Sequence, residues 1–179
     1  MKRLDRRKFL MLTGLTASAI VGGVLLTRRP PSKLAIENGF PLHEPPLLKV
    51  RRSEPGVIEA EIIASSIITH LAGLTVQALA YNETVPGATL RLREGEHVRL
   101  TFTNHLDVPT NLHTHGLHIS PEVDNPFVLV MPGESRLHEF TLPSGSAGTR
   151  WYHPHPHGKV ATQQFAGLSG AATQSTIAH

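Results

Sequence analysis

Histidine is the residue type whose number and spacing could do chemistry in this sequence. Twelve histidines occur among the 179 residues, and six of them fall in two short segments, HTHGLH at 113–118 and HPHPH at 153–157. Alternate residues of a strand point to the same face, with Cα atoms about 6.6 Å apart, so each segment can aim two imidazoles at one place. Imidazole is a common ligand of copper and zinc. The spacing therefore predicts a metal site built from nitrogen ligands.

The residues next to these histidines support that interpretation. Gly116 and Gly158 remove side-chain bulk where another backbone could approach closely. Pro154 and Pro156 lack amide donors, which places the HPHPH segment at a sheet edge or in a loop rather than in a central strand. The sequence contains no cysteine, which excludes disulfides, thiolate metal sites and cysteine nucleophiles.

The remaining single histidines are interpreted as ordinary polar surface residues, because an isolated histidine carries little evidence for a metal site. They are His43, His70, His97, His105, His138 and His179.

The first 29 residues have the layout of an export signal. A basic start is followed by an uncharged run over 9–26, and charge returns at Arg28. The pair Arg6-Arg7 resembles the twin-arginine signal of bacteria. The run of 18 uncharged residues is close to the roughly 20 that span a membrane, so an anchor is the alternative. We expect 1–29 to form a signal helix or anchor, and the remainder to work in the periplasm or elsewhere outside the cytoplasm.

Charge is distributed unevenly along the chain. Eight of the 17 basic residues lie within the first 33 positions, and the rest of the chain carries nine basic and thirteen acidic residues. The high pI of about 9.6 therefore belongs to the leader, and the composition does not favour nucleic-acid binding.

The pattern beyond the leader predicts an all-β protein. We expect an irregular arm over 30–46, a domain over 47–170 and an irregular tail over 171–179. Alternating or β-branched segments separated by turn residues indicate an antiparallel sandwich or barrel. These segments are 57–65, 74–81, 89–95, 97–104 and 135–142.

One hairpin is predicted in detail from the segment TLRLREGEHVRLTFTN. Apolar residues recur at every second position on both sides of a turn at 94–96, which predicts one buried hairpin face. They are Leu90, Leu92, Val98, Leu100 and Phe102.

Two histidine motifs resemble those of a known family. The segments NLHTHGLHIS and TRWYHPHPHG are similar to the first two copper motifs of the multicopper oxidases, which include laccases and periplasmic cuprous oxidases. The segments VPGATLRLREGEHVRLTFTNHLDVPTNLHTHG and DNPFVLVMPGESRLHEFTLP also resemble the first cupredoxin domain of that family. The resemblance covers about 47–170 and implies a cupredoxin-like Greek-key β-sandwich that binds copper.

The resemblance also implies individual roles. His113 would bind the type 2 copper, and His115, His153 and His155 would bind the type 3 pair. His118 and His157 match no ligand position. Thr114 stands where the family usually has tryptophan, which predicts altered packing and access. Trp151 and Tyr152 are predicted to pack behind the histidine strand.

The family oxidises phenolic or metal substrates and reduces dioxygen to water at a cluster with eight histidine ligands. This sequence provides four of them and lacks the cysteine that holds the type 1 copper. We therefore expect the N-terminal domain of such an oxidase, from a truncated or interrupted gene, without activity on its own. Its partner would be a missing C-terminal cupredoxin domain or another chain that supplies the other ligands.

Two alternatives remain open from the sequence. The same four histidines could form a free-standing module that sequesters or delivers copper in the periplasm. A histidine pair with Glu122 downstream could instead form a cupin-type dioxygenase site, although the glutamate spacing is long and no second cupin motif follows.

Overall fold

The computed structural model describes residues 44–71 and 73–176. The predicted signal or anchor, and most of the predicted arm, lie outside these described residues. Residues 44–46 have no regular structure. Among the described residues, no helix has both the length and the apolar character needed to cross a membrane.

Strands dominate the described part of the chain, which contains nine of them and one short helix. In chain order they are β1 (Val50–Glu54), β2 (Val57–Leu71), β3 (Leu74–Tyr81), β4 (Gly87–Arg93), β5 (His97–Asn104), β6 (His113–His115), β7 (Ser135–Thr141), β8 (Gly148–His153), α1 (Val160–Phe165) and β9 (Gly170–Ser175). The all-β prediction is confirmed.

The strands form two sheets that share one hydrophobic core. In the five-stranded sheet the order is β1-β2-β5-β7, and the long β2 also pairs with β3. The four-stranded sheet has the order β4-β9-β8-β6. The expectation of purely antiparallel pairing is wrong, because β2 with β5 and β4 with β9 run parallel. Parallel neighbours require crossover connections. After the two successive hairpins of β1, β2 and β3, the chain therefore alternates between the two sheets as far as β8.

The predicted hairpin of β4 and β5 is also wrong, although its five apolar residues are buried as expected. The two strands belong to different sheets, and the turn between them crosses from one sheet to the other. Glu94 Oε1 accepts a hydrogen bond from the Ala147 amide at 2.8 Å, and Glu96 Oε2 accepts one from the Arg93 amide at 2.7 Å. Two strands that face one core from opposite sides have the same alternation as a hairpin, so the pattern alone could not separate the two arrangements.

The predicted irregular tail is likewise wrong over 171–175, because β9 lies between β4 and β8. Its glycine and two alanines have low strand propensity. Glycine is required at position 170, since a Cβ there would overlap the Tyr152 ring. Packing against a buried aromatic side chain therefore outweighs local propensity in this strand.

Candidate metal centre

Pairing between β6 and β8 brings the two histidine motifs together. His113 is the cross-strand partner of His153, and His115 is the partner of Trp151. The edge or loop placement predicted for the second motif is correct for 154–157, which follow the strand. His153 is the last residue of β8 and pairs only with His113 of β6, because the pairing of β8 with β9 ends at Tyr152.

Four imidazole rings surround one location at this end of the sheet. The His113 ring centroid lies 5.2 Å from that of His153, 5.3 Å from that of His155 and 5.7 Å from that of His115. Ligand nitrogens of His113, His115 and His153 lie within 4.8 Å of one another. The four residues predicted as ligands are thus neighbours, and the ligand nitrogens of three of them lie close enough together to be candidates for a metal centre.

Asp124 orients the first of these rings. Its Oδ1 lies 2.9 Å from His113 Nδ1, and its Oδ2 accepts hydrogen bonds from the Thr114 amide at 2.9 Å and the Thr114 hydroxyl at 2.6 Å. Burial alone would raise the pKa of Asp124, but the hydrogen bonds from His113 and Thr114 outweigh it and lower that pKa. The ionised carboxylate accepts a hydrogen bond from the protonated Nδ1 of His113. The lone pair of the neutral ring therefore lies on Nε2.

His153 is 4% exposed, and its Nε2 is a buried atom with no hydrogen-bond partner among the described residues. Its Nδ1 lies 2.9 Å from the Pro154 carbonyl oxygen and 2.6 Å from the terminal amide of Gln164. Burial lowers the pKa of His153, an effect that the Pro154 carbonyl opposes and the three nearby histidines reinforce. The ring is therefore held in the neutral form that binds metals.

The two aromatic residues before His153 lie on opposite sides of the strand. Tyr152 is buried behind the histidines, as predicted, and its hydroxyl donates to the Ala88 carbonyl at 2.5 Å. The same prediction is wrong for Trp151, which is 38% exposed and stacks on the His153 ring at 4.0 Å and 24°. Positions 151 and 153 share a face because side chains alternate along a strand.

A polar scaffold supports the segment that follows β8. The His155 amide donates to Asn111 Oδ1 at 2.6 Å, and Asn111 Nδ2 donates to the Pro126 carbonyl at 2.7 Å. On α1, Gln163 accepts a hydrogen bond from the Thr110 hydroxyl at 2.8 Å. These contacts tie the second histidine motif and α1 to the segment that leads into β6.

Sequence reasoning missed the four residues that hold the histidines in place, namely Asn111, Asp124, Gln163 and Gln164. A signal existed for the aspartate, since metal-binding histidines usually donate to a carboxylate and few acidic residues follow the first motif. No such signal exists for the amides, because asparagine and glutamine occur on any surface.

The other histidines differ in environment. His118 and His157 are exposed. The surface interpretation of His138 is wrong, since it is 2% exposed and faces the core together with Phe140. Burial, reinforced by the positive charge of Arg136, lowers the pKa of His138 to about 4. Strand β7 has a large apolar residue on each face, Leu137 on one and Phe140 on the other. The alternation of the sequence therefore could not show that the face with His138 is the buried one.

The geometry fits a copper or zinc ion bound by imidazoles. Asp124 leaves Nε2 of His113 available, and the buried Nε2 of His153 lacks any other partner. Neutral imidazoles without thiolates suit these two metals. Glu122, the carboxylate considered for a cupin site, is exposed and is absent from the group of converging ligand atoms found among the described residues.

Comparison with known proteins gives consistent matches. The multicopper oxidase family model matches residues 63–174. A multicopper oxidase of Staphylococcus epidermidis is 42% identical over 93 residues, which cover 51% of this chain and 21% of that protein. Copper resistance protein A of Pseudomonas syringae pv. tomato is 30% identical over 157 residues, which cover 86% of this chain and 23% of that protein.

A solved structure matches the fold as well. The multicopper oxidase from Campylobacter jejuni, described as a metallo-oxidase, superposes with a TM-score of 0.73 and 33% identity over 76% of this chain and 30% of its own. The cupredoxin-like sandwich prediction is confirmed by this match. The chain spans between a fifth and a third of the length of these relatives. Since the family model covers more than half of the residues, the chain belongs to the multicopper oxidase family.

Proposed function

We propose that this chain is a copper-binding domain of a multicopper oxidase. In this proposal His113 binds the type 2 copper, and His115, His153 and His155 bind the type 3 pair. The observation that carries it is the convergence of ligand nitrogens from His113, His115 and His153 within 4.8 Å at the end of one sheet. Family membership selects copper over zinc for these ligands.

Copper bound by these residues would supply the reduction of dioxygen to water, with electrons from a phenolic or metal substrate. The chain contributes the ligands and their orientation, through Asp124 at His113 and the buried pocket at His153. The family resemblance implies four further histidines and a cysteine ligand for the type 1 copper. The 179 residues contain no cysteine. We therefore propose that the remaining ligands come from another domain or chain, and that the chain alone does not turn over.

The export of the domain is part of the same proposal. The leader resembles a twin-arginine signal, which would deliver a folded protein to the periplasm, and the anchor alternative would leave it attached to the membrane. The histidine cluster would then meet its partner domain outside the cytoplasm.

A free-standing copper-binding module is a second candidate. Three candidate ligands already converge within this one chain, and this convergence favours the module because it does not depend on a second domain. A relative named copper resistance protein A is compatible with such a role. The module would retain copper with a defined stoichiometry and would never acquire oxidase activity, whichever domain was added.

Copper titration of the purified chain tests the ligand assignment. Trp151 is the only tryptophan and stacks on His153, so copper binding should quench its fluorescence. His153→Ala and His155→Ala should each weaken copper retention by more than about 100-fold, beyond the range for residues that only support a ligand. His157→Ala is the matched control from the same motif and should bind as the unchanged chain does.

The outcomes separate the candidates. Equal losses in all three variants, or no loss in any, would contradict the ligand assignment. Phenol oxidation by the copper-loaded chain alone would contradict the half-cluster proposal. Activity that appears only when a cupredoxin domain bearing the cysteine motif is supplied would favour the oxidase over the module.

A further inference from the structure

We propose that Arg136 of β7 is a positioning residue, which fixes the turn that carries Asp124 and thereby the orientation of His113. The inference rests on the proposed copper site, because it concerns the support of one of its ligands. Arg136 lies in the five-stranded sheet, whereas His113 lies in the four-stranded sheet. The metal centre therefore depends on a side chain from the sheet that carries none of the four proposed ligands.

Asp124 is the last residue of a tight turn that begins at Ser120. The Val123 amide donates to the Ser120 carbonyl at 3.0 Å, and the Asp124 amide donates to the same oxygen at 3.1 Å. The Glu122 amide lies 3.2 Å from the Ser120 hydroxyl oxygen, which accepts its hydrogen bond. These contacts use the amides of the turn, whereas the carbonyl groups of Glu122 and Val123 find their donor in another segment.

Arg136 is that donor. Its Nη2 donates to the Val123 carbonyl at 3.1 Å and to the Glu122 carbonyl at 3.3 Å. A guanidinium nitrogen only donates and a carbonyl oxygen only accepts, so the direction of both hydrogen bonds is fixed. The side chain of Arg136 is half-buried on the inward face of β7, from which it reaches the turn.

The position of one peptide unit links these contacts to the carboxylate. The Val123 carbonyl and the Asp124 amide belong to the same planar peptide group. Ser120 accepts from its amide end and Arg136 donates to its carbonyl end, so the group is held on both sides. The side chain of an aspartate has only two torsions, and a shift of this peptide group would therefore move the carboxylate with it.

The Asp124 carboxylate tolerates little displacement, because each of its oxygens has its own donors. Oδ1 lies 2.9 Å from His113 Nδ1, while Oδ2 accepts from the Thr114 amide and hydroxyl. Asp124 is 8% exposed, so water cannot readily replace a lost hydrogen bond. A displaced turn would lengthen the contact to His113, and the ring orientation of a metal-binding histidine depends on such a contact.

Proton NMR of the metal-free chain tests the inference without copper. The Nδ1 proton of His113 should give a signal far downfield in the unchanged chain, because it is hydrogen-bonded to an ionised carboxylate. The signal is assigned by its loss in His113→Ala. Arg136→Met removes the donors and keeps an unbranched side chain, so the signal should broaden or disappear in that variant.

Copper affinity tests the same role at the ligand. Arg136→Met should weaken copper binding about tenfold, the lower limit for a residue that supports a ligand. Arg136→Lys keeps the charge without the planar fork, so it should recover part of the affinity and part of the His113 signal. Arg99→Met is the matched control and should bind as the unchanged chain does. It removes the same charge from the neighbouring strand β5, where Arg99 contacts Glu59 and Glu139.

A double substitution separates an effect through Asp124 from a general loss of structure. Residues that act through one another have effects that do not add. Arg136→Met should therefore cause little further loss of copper affinity in a chain that already carries Asp124→Asn. Denaturant unfolding of each variant identifies any chain that has lost its fold.

Three results would overturn the role of Arg136. They are an unchanged His113 signal and affinity in Arg136→Met, losses from Arg136→Met and Asp124→Asn that add in full, and an equal loss in Arg99→Met. If Arg136→Met does not fold, an undiminished His113 signal in Arg136→Lys would overturn it instead. A chain that binds no copper at all would defeat the proposed function, and the His113 signal would still decide the present inference.

Discussion

Histidine occurs in two contrasting settings on the surfaces of the two sheets. On the outer face of the five-stranded sheet, charged residues stand directly opposite one another across four strands. They are Arg51 on β1, Glu59 on β2, Arg99 on β5 and Glu139 on β7. His97 joins this row through its Nε2, which lies 3.0 Å from Glu139 Oε1. Every charge in the row has an opposite charge beside it.

At the end of the four-stranded sheet the histidines have no such partners in front of them. The rings of His113, His115, His153 and His155 face one another, and the carboxylate of Asp124 contacts only the far nitrogen of one ring. Among the described residues, the buried Nε2 of His153 has no hydrogen-bond partner. The partner of each nitrogen, rather than the presence of histidine, therefore separates a structural surface from a candidate metal centre.

A buried histidine, His138, should show the largest effect, which is a change in the free energy of unfolding with pH. His138 is buried, and its pKa is lowered to about 4 while an unfolded chain titrates near 6.5. The unfolded state therefore binds the proton first. The contribution of neutral, buried His138 to the stability of the folded chain is complete above pH 6.5 and is lost as the pH falls toward 4. The loss should reach about 3 kcal/mol in the free energy of unfolding, measured with denaturant across that range.

The control for this prediction is His138→Leu, which keeps an apolar side chain of similar size without a titratable nitrogen. Its unfolding free energy should lack the component of the pH slope that His138 contributes. Identical slopes in both chains would show that His138 is not the buried group responsible.

Asp124→Asn should have the next largest effect. The amide can accept from either His113 or Thr114, but it places a donor against the other, so one of the hydrogen bonds is lost. Copper affinity should fall at least about tenfold in a calorimetric titration. Glu122→Gln, at an exposed position two residues earlier, is the matched control and should bind normally. Equal affinities in the two variants would contradict the orienting role of Asp124.

The stability of the folded chain at low pH should also depend on the Asp124 carboxylate. The pKa of Asp124 is lowered in the folded chain, so its stabilisation is present above the unfolded pKa near 3.8 and is lost only as the pH falls below it. This range lies below the one assigned to His138. The two contributions are therefore separable in one pH series.

The smallest effect is expected on the charged row. Arg99 lies 3.6 Å from Glu59 and 3.4 Å from Glu139, and its side chain is half exposed. Arg99→Ala should change the unfolding free energy by less than about 1 kcal/mol and should not alter copper affinity. A change in copper binding would break the separation between the two surfaces.

The class of fold and the clustering of the four histidines could be predicted from local patterns in the sequence. Alternation is local and survives in any tertiary arrangement, so β3, β4, β5 and β7 were predicted with nearly correct ends, whereas β2 continues to Leu71, beyond the predicted 57–65. The two motifs were recognisable because HxH spacing in strands brings side chains to one face. Family motifs then supplied the expected sandwich.

Tertiary structure alone decided which strands pair and what holds the histidines. The alternation predicts that Leu92 and Val98 are buried. It does not show to which sheet each residue belongs, because both sheets face the same core. Strand β9 pairs with β4 and β8, and its first residue, Gly170, packs against the Tyr152 ring, so the contacts that accompany this strand lie outside its own segment. Asp124 and Gln164 reach the rings from a loop and a helix, and hydrogen bonds between distant segments leave no period in the sequence.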